Sequence, residues 1–380
     1  MLYIVILILF VLVPDAYIWW QFIRGGQLWV NILYWMPTIA LLGALIIGMS
    51  GHYADALMKL FFFLVLCIVL PKLLFAVCSL VGKGLGVFAP VAFTVGNIAG
   101  LFVAVITLCG AIYGFTKGWK RMEVRELSIA FAELPDAFNG YTIVQLSDLH
   151  IGTYASSPEV VEKLVETANS IAPDAILFTG DLVNSSPEEL DIFMEVLSRL
   201  KATDGVYSIL GNHDYCEYRH YNTPDGAQKN LEELIRREQR LGWRLLLNEH
   251  CIIRKGADSI AILGVENDGT PPFPALADLP KATKGLPQGI FKVLMSHDPT
   301  HWHRSILPET DIQLTLSGHT HAMQLRFGNF SPSQWQYPEW GGIYTEGNRM
   351  LHVSTGTGSN VQFRFGAWPE IDVIRLIKDK

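Results

Sequence analysis

Four long apolar stretches fill the first 120 residues, and they constrain the fold more than any other feature of the sequence. The stretches are Leu2–Phe22, Leu28–Met49, Leu57–Val81 and Val87–Phe115. Each reaches the ~20 residues that an α-helix needs to cross the hydrocarbon core of a bilayer. Pro14-Asp15 interrupts the first stretch and Pro71-Lys72 falls inside the third, so three spans are the alternative to four. We therefore predict an all-α transmembrane region of about four helices over residues 1–118.

The basic residues that flank these stretches indicate the orientation of the chain. Four of them cluster directly after the last stretch: Lys117, Lys120, Arg121 and Arg125. The loops that would lie on the opposite side carry only Arg24 and Lys83. The apolar stretches predict an integral, multi-pass protein of the cell membrane. Because cytoplasmic loops are enriched in Lys and Arg, we expect its C-terminal domain to face the cytoplasm.

The charge of the chain is divided unevenly between its two parts. Residues 1–120 contain six basic and two acidic residues, a charge of +4. The other 260 residues therefore carry −11, which gives the net charge of −7. Nucleic acids are held by Lys and Arg on a basic surface. An acidic C-terminal part therefore argues against nucleic acid as a partner, whereas the apolar stretches imply the lipid bilayer as one.

From about residue 124, short apolar runs alternate with amphipathic stretches, as is typical of βαβ units. The runs that predict strands are Tyr141–Leu146, Ala175–Phe178, Val206–Leu210, Ile260–Val265, Phe291–Met295, Ile312–Leu316, Met350–Ser354 and Ile371–Ile377. Pro158–Ile171 and Pro187–Leu200 predict helices, since proline is tolerated in the first helical turn. We expect residues 119–139 to be a linker and residues 140–380 to form one α/β domain.

Five short polar clusters each follow one of the predicted strands. They are Asp148-Leu149-His150, Gly180-Asp181, Gly211-Asn212-His213-Asp214, Ser296-His297-Asp298 and Gly318-His319-Thr320-His321. In open α/β sheets, residues beyond the carboxyl ends of strands converge in one crevice. The clusters offer more carboxylate, amide and imidazole ligands than one metal ion needs. They suffice for two divalent ions that share a carboxylate, an arrangement suited to the cleavage of phosphate esters.

The order D-x-H, GD, GNHD, H, GHxH resembles the calcineurin-like metallophosphoesterase superfamily, in its membrane-anchored bacterial type, over about residues 140–377. The resemblance implies a calcineurin-like phosphoesterase fold, a sheet sandwich flanked by helices. It also implies two groups of metal ligands. These are Asp148, His150 and His321 for one ion, Asn212, His297 and His319 for the other, and Asp181 as the bridge between them. A ligand set without Cys points to Mn²⁺, Fe or Zn²⁺ rather than to a thiolate zinc site. The resemblance favours Mn²⁺, with Fe or Zn²⁺ as alternatives.

Two further residues of the GNHD cluster are the predicted catalytic residues. By the same resemblance, His213 lies over the substrate and assists the leaving oxygen, and Asp214 orients its imidazole. Asp298 is expected either to support His297 or to stabilise a turn.

An aromatic-rich segment follows the last cluster. Its large side chains are Met323, Phe327, Phe330, Trp335, Tyr337, Trp340 and Tyr344. Such a segment either grips an apolar part of a substrate, rests on a membrane surface, or packs as a small core under a long loop.

These features predict a membrane-anchored, metal-dependent phosphoesterase that hydrolyses a phosphate ester or pyrophosphate. The leading substrate class is a phosphate-containing small molecule that is lipid-linked, such as a nucleotide-lipid. One alternative is a phosphodiesterase of soluble substrates, with the helices as a simple anchor. The other is a membrane signalling or transport protein that uses the domain as a sensor, which an intact ligand set disfavours.

Overall fold

The computed structural model describes residues 2–49 and 55–379, so Lys380, the last residue of the predicted C-terminal domain, lies outside it. The chain divides into two compact units. The first comprises Met1–Lys117 with Val361–Phe363, and the second comprises Gly118–Asn360 with Arg364–Lys380.

The first unit is helical. Its helices are α1 (Leu2–Ile18), which continues as a π-helical turn to Ile23, α2 (Leu28–Met49), α3 (Asp55–Leu64), which a π-helical turn joins to α4 (Leu70–Leu85), and α5 (Val91–Thr116). Among the described residues, three segments are long and apolar enough to cross a membrane: Leu28–Gly48, Leu57–Leu85 and Val91–Lys120. Ile8–Ile23 is apolar but shorter. The prediction of several apolar membrane helices is confirmed.

The two ionisable residues that interrupt the apolar stretches lie together in this unit. Lys72 Nζ is 2.9 Å from Asp15 Oδ1. Asp15 also accepts hydrogen bonds from the hydroxyls of Tyr34 and Thr38. An isolated charge in a membrane segment is costly, and a paired one much less so. Within this unit, α1, α2 and α4 are therefore joined by one ion pair and its hydrogen bonds.

The second unit contains two six-stranded sheets. The strands are β1 (Glu123–Phe131), β2 (Thr142–Leu146), β3 (Ala175–Phe178), β4 (Val206–Ser208), β5 (Arg244–Leu245), β6 (Glu249–Lys255), β7 (Asp258–Gly264), β8 (Phe291–Met295), β9 (Leu314–Ser317), β10 (Gly342–Glu346), β11 (Arg349–Val353) and β12 (Glu370–Lys378). The sheet orders are β1-β12-β2-β3-β4-β5 and β10-β11-β9-β8-β7-β6. Most neighbouring strands are parallel; the antiparallel pairs are β12–β2, β10–β11 and β6–β7.

Buried side chains from the two sheets meet in one core, which includes Ile143 of β2 and Val293 of β8. Helices cover the outer faces: α6 (Glu159–Ser170), α7 (Met194–Leu197) and α8 (Gly226–Leu241) on the first sheet, and α9 (Leu279–Thr283) on the second. A further helical turn, α10, spans Leu307–Glu309. The predicted sandwich of sheets flanked by helices is confirmed.

The periodicity of α6 shows why it packs on the sheet. Val161, Leu164, Val165 and Ala168 recur at helical spacing and are all buried. The opposite face carries charged side chains such as Lys163 and Glu166. An apolar stripe of this width needs a partner surface, which the parallel and fully buried strand β3 provides.

The structure differs from the sequence predictions in two segments. Within the predicted linker, 119–139, strand β1 pairs in parallel with β12 from Glu123–Glu370 to Phe131–Lys378. Its half-exposed edge position explains the alternation of charged and apolar residues that disguised it. Pro187–Leu200 is a 3₁₀ turn, Pro187–Leu190, followed by the short α7. Ser186 and Glu189 form a capping box at the start of the turn, so the predicted start is correct but the single long helix is not.

Candidate metal centre

Five parallel strands from the two sheets each end directly before one polar cluster. Strands β2, β3 and β4 lead to Asp148, Asp181 and Asn212, and β8 and β9 lead to His297 and His319. The sheet geometry thus brings residues that are up to 173 positions apart in the chain to one edge of the sandwich.

The first group of candidate ligands contains Asp148, His150, Asp181 and His321. One ligand atom from each lies within 4.8 Å of those of the others. His321 Nε2 is 3.1 Å from His150 Nε2 and 3.3 Å from Asp148 Oδ1. His150 Nε2 is in turn 3.6 Å from Asp181 Oδ2. Two carboxylates and two imidazoles therefore face one small volume.

The second group contains Asp181, His297 and His319, again within 4.8 Å of one another. Asn212 belongs to it as well, since its Oδ1 lies 2.8 Å from His319 Nδ1. The Asn212 amide nitrogen donates to the Tyr218 hydroxyl, which turns the amide oxygen toward the site. Asp181 is common to both groups, and Asn212 adjoins the second group through His319, so the seven predicted ligands lie at one site.

His297 tests whether this arrangement suits a cation. Its Nδ1 donates to the Thr179 carbonyl at 2.7 Å, so the neutral ring carries a lone pair on Nε2. That Nε2 is buried without a hydrogen-bond partner and lies 3.2 Å from Asp181 Oδ2. Burial lowers the pKa of His297, yet the carboxylates of Asp181 and Asp148 raise it to about 10. A positive charge therefore belongs between Nε2 and the carboxylate. A proton holds this place when no metal is bound, and a divalent ion can replace the proton.

The backbone of the site is unusual. Five of the seven candidate ligands adopt a left-handed conformation: Asp148, His150, Asp181, His319 and His321, with φ between 44° and 73°. Residues other than glycine avoid this region, at a cost of about 1 kcal/mol or more for each. Backbone strain of this kind persists where the surrounding structure enforces it, and such residues cluster at functional sites.

Glycines beside the ligands make room for this close packing. A Cβ on Gly211 would overlap Asp181 Oδ1, and a Cβ on Gly318 would overlap Asp148 Oδ2. At Gly180, which has a φ of 95°, a Cβ would lie 2.8 Å from His297 Nδ1. The glycines of the GD, GNHD and GHxH clusters are therefore required by contacts with the ligands themselves.

Two family models match this chain. A model described as calcineurin-like phosphoesterase matches residues 141–323. A second model, described as "Probable Calcineurin-like phosphoesterase, transmembrane domain", matches residues 1–119. The chain belongs to the calcineurin-like phosphoesterases.

Curated relatives of this phosphoesterase match most of the chain at under 30% identity. A transmembrane protein with metallophosphoesterase domain from Danio rerio is 28% identical over 280 residues, which cover 72% of this chain and 61% of the fish protein. The uncharacterized metallophosphoesterase YkuE from Bacillus subtilis is 28% identical over 299 residues, 75% of this chain and 96% of that protein. A solved phosphopantetheinyl hydrolase from Mycobacterium tuberculosis aligns with a TM-score of 0.34 and 13% identity, covering 59% of this chain and 91% of that one.

The structure corrects the prediction for Asp214 in this phosphoesterase. Its buried carboxylate does not orient His213; it accepts hydrogen bonds from the backbone N–H groups of Gly211, Asp181, Leu182 and Val183. Burial, followed by the charge of Asp181, raises the pKa of Asp214 to about 7. Asp214 thus supports the turn that carries Asp181, because four N–H groups converge on it and the His213 ring points elsewhere.

His213 lies at the mouth of the phosphoesterase site and is held by a different group. Its Nδ1 is 2.6 Å from the Asn184 carbonyl oxygen, and its Nε2 is 3.3 Å from the Asn360 amide. The His213 ring also packs edge-on against His150, with ring centres 4.7 Å apart. Because every residue has a backbone carbonyl, no sequence motif marks Asn184 as the partner of His213.

Three other side chains at the site have clear positions. The Tyr337 hydroxyl is 2.9 Å from His319 Nε2, and the buried Arg364 places Nη2 3.3 Å from His321 Nδ1. Asp298 takes the predicted turn role, since its Oδ1 accepts from Thr300. Its Oδ2 lies 3.7 Å from His319 rather than beside His297. Tyr337 was part of the aromatic segment, but no sequence signal linked it or Arg364 to the ligands.

Proposed function

We propose that this chain is a membrane-bound hydrolase that cleaves a phosphate ester or pyrophosphate with two divalent ions. The observation that carries the proposal is the position of the Asp181 carboxylate, within 4.8 Å of ligand atoms from both histidine groups. Asp148, His150 and His321 would hold one ion, Asn212, His297 and His319 the other, and Asp181 would bridge them. Asp, Asn and His ligands without Cys suit Mn²⁺, Fe or Zn²⁺ rather than a thiolate site. Among these, Mn²⁺ is the metal we favour from the family resemblance.

The bound ions would neutralise phosphate oxygens and activate water. Residues of the chain itself position the groups that would surround the phosphate. The Asn184 carbonyl accepts the Nδ1 proton of His213, which fixes the ring and leaves Nε2 facing the mouth of the site. In its doubly protonated form, His213 can give the Nε2 proton to the leaving oxygen and becomes neutral, or it can stabilise the charge of that oxygen. Asp214 keeps the Asp181 turn in place through four backbone hydrogen bonds.

The substrate we favour is lipid-linked, such as a nucleotide-lipid, because the catalytic domain is attached to membrane helices and carries exposed aromatic side chains beside the site. The alternative is a soluble phosphodiester with the helices as an anchor. A sensor without turnover would not need all seven ligand side chains to converge. The cluster of Lys117, Lys120, Arg121 and Arg125 supports a catalytic domain on the cytoplasmic side.

The first experiment tests the bridging carboxylate. The full-length chain in detergent is assayed with bis-p-nitrophenyl phosphate and Mn²⁺, beside Asp181→Asn and the surface control Asp191→Asn. Bound metal is counted in the same samples by mass spectrometry. We expect Asp181→Asn to lose at least about 100-fold in rate and part of its metal, since it removes a ligand shared by both ions. Full turnover in Asp181→Asn would refute the bridging role.

The second experiment separates the two substrate classes. The full-length chain in liposomes is given a lipid-linked pyrophosphate and a water-soluble pyrophosphate with the same headgroup. A higher kcat/KM on the lipid-linked compound supports the favoured substrate class. Equal values on both compounds would favour the soluble phosphodiesterase with an anchor.

A further inference from the structure

The aromatic segment after His321 divides into a buried part and an exposed part. Tyr337 and Trp340 pack with Ala322 and Ala367 in a small buried cluster. Phe327, Phe330 and Trp335 stay open to solvent, and Trp335 is 78% exposed. The sequence left open whether this segment forms a small core or an exposed surface. Both are present, because different residues of the segment form each of them.

The three exposed rings and two half-buried ones define an aromatic surface, made of Phe327, Phe330, Trp335, Phe365 and Trp368. Ring centres are 5.7 Å apart between Phe330 and Trp335, 5.9 Å between Phe327 and Phe365, and 5.9 Å between Phe365 and Trp368. Phe327 and Phe330 are joined by backbone hydrogen bonds. Contiguous exposed apolar surface is rare on soluble domains and marks a binding surface.

The end of this surface at Trp368 is where the chain enters the catalytic domain. A Cβ on Gly118 would lie 2.9 Å from the Trp368 ring. Gly118 follows Thr116, the last residue of α5, by two positions, and α5 lies in the last segment long and apolar enough to cross a membrane. Two residues of chain span at most about 7 Å. Trp368 therefore packs on the start of the catalytic domain, which follows α5 directly in the chain.

The charge of the surrounding segments suits a membrane. Residues 319–338 and 355–369, which carry the aromatic surface, contain no Asp or Glu. Arg326 lies within the first segment, and the Arg121 guanidinium lies 4.8 Å from the Trp368 ring centre. Tryptophan and phenylalanine beside cationic groups are typical of the interface between lipid headgroups and acyl chains.

We propose that the aromatic surface inserts into the membrane–water interface and holds the catalytic domain against the bilayer. The segment that bears Phe327, Phe330 and Trp335 is bounded by His321 and Tyr337, both at the metal centre. The contact thus sets the mouth of the site close to the lipid headgroups. This second consequence rests on the proposed function, whereas the membrane contact itself does not.

The contact is tested by tryptophan fluorescence of the full-length chain in liposomes. Emission of wild type minus that of Trp335→Phe isolates the signal of Trp335. Trp29→Phe, which changes an exposed residue of α2, gives a reference signal from a membrane helix. Lipids brominated near the headgroup report contact with the bilayer, and acrylamide reports contact with water.

We expect brominated lipid to remove most of the Trp335 emission, as it does for Trp29, and acrylamide to have little effect. Emission that acrylamide quenches and brominated lipid does not would overturn the proposal. A second reporter, Phe327→Trp in the Trp335→Phe chain, is expected to show the same lipid quenching. Equal melting temperatures of all variants verify folding. Because no turnover is measured, the outcome is independent of whether the chain hydrolyses any phosphate ester.

Discussion

The carboxylate of Asp214 accepts a hydrogen bond at 2.8 Å from the backbone N–H of Asp181, the residue at the centre of both ligand groups. In Asp214→Asn, the amide NH₂ would face some of the N–H groups of Gly211 and Asp181–Val183 in place of an acceptor. Each buried donor left unpaired costs about 1–3 kcal/mol. We expect a lower free energy of unfolding and less bound metal, measured by thermal melting and by metal analysis.

The control for Asp214→Asn is Asp204→Asn, which weakens a hydrogen bond from Tyr141 that involves none of the candidate ligands. This variant is expected to lose stability but to bind metal normally. A normal metal content and stability in Asp214→Asn, with only its catalytic rate reduced, would instead return Asp214 to the role of orienting His213.

Tyr337 is expected to fix the tautomer of His319. Its hydroxyl lies 2.9 Å from His319 Nε2, so it can accept the Nε2 proton and leave the Nδ1 lone pair for a metal ion. Tyr337→Phe should weaken the binding of Mn²⁺ by about 10–100-fold. Tyr344→Phe is the matched control, because its hydroxyl contacts only the backbone of Trp340 and Gly341. Equal Mn²⁺ affinities of the two variants, measured by titration calorimetry, would contradict the prediction.

Gly211→Ala is expected to remove activity without a change of charge. The added methyl group would overlap Asp181 Oδ1, so the shared carboxylate must move. A displacement of this size at a bridging ligand should cost at least about 100-fold in rate, measured with bis-p-nitrophenyl phosphate. Gly84→Ala, on α4, places the same methyl group in open space and should leave the rate unchanged. A rate near that of the original chain in Gly211→Ala would show that the turn can relax.

The buried Glu238 of α8 predicts a pH-dependent stability. Burial raises the pKa of its carboxyl from 4.5 to about 8, although the Ser208 hydroxyl donates to it at 2.5 Å. The folded chain keeps this proton while the unfolded chain loses it, so stability falls as pH rises between about 4.5 and 8. The slope is about 1.4 kcal/mol per pH unit for one such group.

Glu238→Gln stays neutral at every pH and should remove this part of the slope. Its melting temperature is expected to exceed that of the original chain most clearly above pH 8. Glu162→Gln, on the exposed face of α6, serves as the control and should follow the original chain. Parallel curves for Glu238→Gln and the original chain would contradict the raised pKa.

The periodicity of apolar residues within each segment, together with the order of the motifs, predicted most of the elements and the ligand residues. The buried strand β3 and the amphipathic α6 appear within one residue of the predicted bounds, since their apolar patterns match one period each. The seven ligand residues converge because each follows a strand. What lay outside prediction depends on tertiary contacts: β1 becomes a strand only by pairing with β12, and Asn184 acts through its carbonyl, which every residue has.

The order of the first sheet has a consequence for how the protein is made. Strand β12, the last to be synthesised, lies between β1 and β2, which are among the first strands of the domain to leave the ribosome. This sheet therefore stays open along its middle until β12 has been synthesised. Closing it joins segments more than 200 residues apart, which is a slow step in folding. Deletion of Glu370–Lys378 would leave β1 without a neighbour in the sheet.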